Sequence, residues 1–174
     1  DEIVLPLRVH RVEGASTLSQ QQADEVSEQL NRIWAPAGIR FDCRHNGSTP
    51  VKDLARVCPN DPGSNTSRVP DFQVLQAAPD YRADCLNLFW VEKVLSAVEK
   101  RPMQFQASRA HRALLLPEEF HDFPLARTAA RAFAYVLGLP FSNDVSQERL
   151  TFNGPGGMAL EPSEIERARE AASR

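Results

Sequence analysis

The stretch Leu125-Ala126-Arg127-Thr128-Ala129-Ala130-Arg131-Ala132-Phe133-Ala134-Tyr135-Val136-Leu137-Gly138-Leu139-Pro140-Phe141-Ser142 decides how this chain is read. Leu125, Ala129, Ala132, Phe133, Val136 and Leu137 recur at helical spacing and make one apolar stripe. Gly138 stands where a helix passes into a left-handed residue, and Pro140 cannot prolong it. The stretch predicts an amphipathic helix that stops at Gly138.

The flanking sequence supplies the other elements. Ile3 to Val12 alternates apolar and polar residues over its second half, as a half-buried strand does. Ser19, with Gln22 three residues on, is a helix-start signature. Val26, Leu30, Ile33 and Trp34 continue that helix, Gly38 closes it, and Ile39-Arg40-Phe41-Asp42-Cys43 reads as a strand. Leu86 to Val91 reads as a buried strand, and His111 opens a further strand that runs to Pro117. Gly154-Pro155-Gly156-Gly157 is turn-rich, and Glu161-Pro162-Ser163-Glu164-Ile165 opens a last helix with proline at its first position.

The ending Val136-Leu137-Gly138-Leu139-Pro140 plus one residue resembles the end of the catalytic helix in metzincin zinc proteases, which write their metal site HExxHxxGxxH. The order strand, long helix, Ala37-Gly38-Ile39-Arg40-Phe41, strand is similar to how small domains of that family begin. The resemblance implies a single α+β domain over 1–174. It implies a mixed, twisted sheet packed on a long N-terminal helix and the 125–137 helix, with a C-terminal helix at the end. It also implies that Arg131 and Tyr135 stand for the first two ligand histidines, Ala132 for the general-base glutamate and Phe141 for the third histidine. Thr151, in Leu150-Thr151-Phe152, takes the place of the family's methionine turn. His111, Arg112, Ala113, Leu114 and Leu115 take the place of the edge strand that lines the substrate cleft.

A catalytic zinc needs three protein ligands and an open position for water, with a base beside it. Arg131 is permanently cationic, Ala132 moves no proton and Phe141 has no ligand atom. Tyr135 offers one oxygen, which does not make a site. The degenerate motif therefore implies a zincin-like domain with no catalytic residues, no metal and no cofactor. The expected role is a peptide- or protein-binding or regulatory module. An enzyme, a hydrolase with a displaced metal site, is the alternative. Arg131, Tyr135 and Phe141 are expected to plug the former metal cavity, with Glu118, Glu119, Asp122 or Asp144 answering the arginine charge.

Composition sets bounds on these readings. The chain has 174 residues, 42% of them hydrophobic, enough for one core. No apolar run approaches the roughly 20 residues of a membrane span. A net charge of -3 gives no electrostatic case for nucleic acid. The protein begins at Asp1 and enters a strand at once, the form expected of a periplasmic or secreted protein after signal-peptide removal. Of three cysteines, Cys43 and Cys58 are the first choice for a bridge and Cys58–Cys85 the second, with three reduced thiols as the third reading. Residues 45–83 read as a loop-rich insertion, with turn clusters at Asn46-Gly47-Ser48-Thr49-Pro50 and Asn60 to Asn65. An alternative metal site from His111, Glu118, Glu119, His121 and Asp122 is also conceivable, because that segment is acidic and borders the expected cleft.

Overall fold

The computed structural model describes residues 1–52, 72–94, 104–119, 124–151 and 157–174. The fold is α+β, with one mixed five-stranded sheet and four α-helices among the described residues. The strands are β1 (Ile3–Val12), β2 (Ile39–Thr49), β3 (Leu86–Val91), β4 (Gln106–Ser108) and β5 (Ala113–Pro117), ordered β2-β1-β3-β5-β4 across the sheet. The first four in that order are parallel, and β4 closes one edge antiparallel to β5. Helices α1 (Gln20–Trp34) and α3 (Leu125–Val136) pack on one face, where Leu5, Leu7, Val9, Leu88 and Trp90 meet Leu30, Trp34, Ala129 and Phe133. The short α2 (Phe72–Gln76) covers part of the other face over Val12, Phe89, Ala113 and Leu115, and α4 (Pro162–Ala172) ends the chain.

A sheet covered on both faces explains why β3 is apolar without alternation, since all six of its residues are buried. Helix α1 starts as its sequence predicts: the Ser19 hydroxyl accepts from the Gln22 N–H at 3.1 Å, and the Ser19 N–H donates to the Gln22 side chain at 2.9 Å. Gly38, at φ +63°, turns the chain from that helix into β2.

Two expectations are corrected by the sheet. Strand β2 does not end at Cys43 but continues through His45, Asn46, Gly47 and Ser48 to Thr49. Strand β1 offers a parallel ladder along its whole length, and that pairing overrides the turn preference of Asn46-Gly47. The register shifts after Leu7, where Cys43 and then His45 are the partners, so Arg44 is the extra residue of a bulge. The 45–83 stretch is therefore strand over 45–49 and helix over Phe72–Gln76, and 53–71 lies outside the described residues.

The second correction concerns the edge. Residues Ala113 to Pro117 are buried and pair with β3, and Ala113 to Leu115 pair with β4 as well. His111 and Arg112 lie in the turn that leads into β5. The edge is β4, a three-residue strand too short and too polar to stand out in sequence.

Candidate functional site

Helix α3 ends in a Schellman motif. The Leu139 N–H donates to Ala134 O at 2.9 Å and the Gly138 N–H to Tyr135 O at 3.0 Å. Gly138 holds φ +79°, which only glycine adopts without penalty. The turn sends the chain back across α3, and this places Phe141 under Arg131. The Arg131 guanidinium lies 4.8 Å from the centroid of the Phe141 ring. The two outer positions of the aligned ligand set therefore do meet, ten residues apart in sequence.

Arg131 is 4% exposed and donates from Nη1 to Leu150 O at 3.2 Å. Burial lowers its pKa to about 10, and the Arg127 charge pushes the same way. It still carries its charge at neutral pH. Ala132, in the general-base position, is fully buried among core residues. Tyr135 is elsewhere in its surroundings: 40% exposed, under the Arg109 guanidinium at 4.7 Å, with Phe105 6.0 Å away. Arg109 also donates to the Tyr135 carbonyl at 3.0 and 2.7 Å. Arg131 and Phe141 thus come together, whereas Tyr135 lies apart from them on the surface beside β4.

The loop below Arg131 is held by α4. Thr151 is fully buried, and its hydroxyl donates to Glu164 Oε1 at 2.5 Å. The Ser142 N–H donates to Thr151 O at 3.2 Å, tying the strand end after α3 to the same loop. Glu164 also receives Arg149 Nη2 at 2.8 Å and the Glu161 N–H at 2.9 Å. Burial alone would raise the Glu164 carboxyl, but these donors outweigh it and hold the group below the usual carboxylate range. The sequence signal for Glu164 was its place in the first turn of a helix; its reach back to Arg149 and Thr151 had none.

The other sequence candidates are dispersed. Glu118 accepts from the Thr17 N–H at 3.0 and 2.9 Å, from the Thr17 hydroxyl at 2.6 Å, and from Ser16. It caps the loop before α1 and is not at Arg131. His111 sits at the start of β5, with Ser108 Oγ 2.6 Å from Nδ1, whereas Glu118 and Glu119 follow the strand's far end. Asp144 is exposed; His121 and Asp122 lie outside the described residues. His111 and the two glutamates are thus not brought together, and among the described residues no three histidine, cysteine or acidic side chains cluster as metal ligands. Cys43 is an exposed free thiol and Cys85 a buried one; Cys58 lies outside the described residues. Among the described residues no helix is long and apolar enough to cross a membrane.

A polar cluster on the opposite sheet face escaped the sequence reading. His10 is fully buried, stacked on Phe89 at 4.3 Å, with Thr49 Oγ1 and Asn87 Oδ1 each 3.2 Å from a ring nitrogen. The Asn87 amide donates to Arg82 O and Cys85 O, so its oxygen is the acceptor toward His10. His10 is accordingly protonated on Nε2 and accepts from Thr49 on Nδ1. Its neutral form satisfies every partner.

No protein-family model matches this chain, and no curated protein matches it in sequence.

Proposed function

We propose that this protein is a zincin-like domain that has exchanged its metal for a packed arginine and acts by binding an extended peptide or protein segment in the cell envelope or outside the cell. The observation that carries the reading is the meeting of Arg131 and Phe141 over the Leu150 carbonyl. A motif aligned on one glycine requires positions 131 and 141 to converge, and the turn at Gly138 brings them together. The order of the elements and the antiparallel edge beside α3 support the same reading. The binding edge of this proposal is β4, in place of 111–115. Extended segments add to sheet edges through main-chain hydrogen bonds, and Phe105, Tyr135 and Arg109 flank that edge with aromatic and cationic surface.

One experiment with two arms tests it. The triple variant Arg131→His, Tyr135→His, Phe141→His leaves the buried Ala132 in place and should take up close to one zinc, read by elemental analysis. A folded triple variant that stays free of zinc removes the zincin register. In the second arm, proline is placed in turn at Gln106, Ala107 and Ser108, and binding to an array of extended peptides is measured. Positions whose N–H faces outward should lose binding without loss of stability. Peptide binding that survives all three prolines removes β4 as the binding edge.

A further inference from the structure

A half-open cavity of about 240 Å³ lies beneath the sheet, away from the 131–141 site. Its floor is Leu5, Leu86, Val136 and Leu137, with Ala171 and Ala172 from the end of α4. Its rim carries Arg109, Arg112 and Arg174. Two helix C-termini point here, and their partial negative charge would work against an anion. Part of that charge is answered by donors already in place. Arg109 holds Tyr135 O, and the Ser173 N–H and hydroxyl donate to Arg169 O at 3.1 and 2.8 Å.

The three arginines are not equivalent. Arg109 is engaged with the Tyr135 carbonyl and ring, and Arg174 pairs with Glu170. The Arg112 side chain has no hydrogen-bond or ion-pair partner among the described residues. Its backbone, by contrast, is fixed. Arg112 holds φ +46°, its N–H donates to Arg109 O at 3.2 Å, and its carbonyl accepts from the Asn87 N–H at 2.8 Å. A left-handed arginine, pinned on both sides, thus sets one unengaged guanidinium fork at the mouth of an apolar bowl.

We infer that this cavity is a binding site for a single carboxylate carried on a small branched apolar group. One guanidinium fork matches one carboxylate through two parallel N–H···O bonds, and the other two arginines add charge without a free fork. The volume, roughly eight waters' worth, suits a leucine-sized body. An apolar floor rejects a more highly charged or hydrated anion, because it gives no polar partner to replace lost water. The carboxylate comes either from a free short-chain acid or from a peptide's C-terminal residue. The site goes beyond the β4 reading and shares no residue of that strand, so either can fail alone.

The test is calorimetric titration of the full chain with 4-methylpentanoate, with the peptide Ala-Ala-Ala-Leu bearing a free C-terminus, and with its C-terminal amide. Saturable binding of either carboxylate, at least tenfold tighter than the amide, supports the site; which of the two binds tells the source. Arg112→Asn keeps a residue that tolerates the left-handed backbone and should weaken binding tenfold or more. Arg112→Lys keeps the charge but not the fork and should fall between. Ala172→Trp leaves Arg112 in place, fills the bowl and should abolish binding. No saturable binding of either acid, equal binding of the amide, or an unaffected Arg112→Asn variant would overturn the proposal.

Discussion

Replacing Glu164 by alanine is expected to lower the unfolding free energy by about 3 kcal/mol, because breaking a buried ion pair strands its partner. Glu164 is 5% exposed and serves three donors at once: Arg149, the Thr151 hydroxyl and the Glu161 N–H. The nearby Glu161 carboxylate, 3.0 Å from Arg149, keeps part of the arginine's pairing and places the loss near the lower end of the range for such pairs. Glu164→Gln retains the helix-capping acceptor and should cost less. The loss is read from urea unfolding. An alanine variant within about half a kcal/mol of the parent, the range of ordinary surface changes, would show that the 149–151 loop does not depend on α4.

Acidification should remove about 3 kcal/mol of stability through His10 alone. Its pKa is lowered from 6.5 to about 4, first by burial and then by the His45 and Arg8 charges, against the raising effects of Asn87 and Asp80. A depressed histidine pKa means that the unfolded chain binds the proton first. The contribution is complete above pH 6.5, declines as pH falls through 6.5 toward 4, and is flat below that. The gap between 6.5 and about 4, at about 1.36 kcal/mol per pH unit, sets the size. His45, lowered chiefly by its own burial, slopes the same way. Unfolding free energies measured from pH 7 to 4 in the parent and in His10→Phe should diverge in slope over that window. Parallel slopes would clear His10 of the effect.

What was legible in the sequence was local chemistry. The Ser19–Gln22 capping box, the glycine stops at 38 and 138 and the proline start of α4 each read correctly, because each satisfies its own backbone within a few residues. Strand β3 read correctly because burial on both faces writes an apolar run from Leu88 to Val91. The failures were all non-local. Asn46-Gly47 reads as a turn until β1 is laid beside it. Nothing in Gln106-Ala107-Ser108 announces a strand, so the sequence leaves β5 looking like the edge that β4 supplies. At the candidate site, the helix and its glycine stop were legible, but not that Tyr135 lies apart from Arg131 and Phe141 or that Ala132 is sealed into the core. His10 looked like an ordinary strand residue, because its partners Thr49 and Asn87 arrive from 39 and 77 positions away.

The interior place of β1 in the sheet has a kinetic consequence. This strand is made first, yet its neighbours in the sheet are β2 and, some eighty residues later, β3. Parallel pairing of that kind must close long loops before any contact rewards the closure, so folding belongs in the slow regime of milliseconds to seconds. During synthesis, the apolar ribbon of Leu5, Leu7 and Val9 waits unpaired on the β3 side until that segment emerges. For that interval the nascent protein presents the kind of surface that chaperones bind and that aggregates grow from.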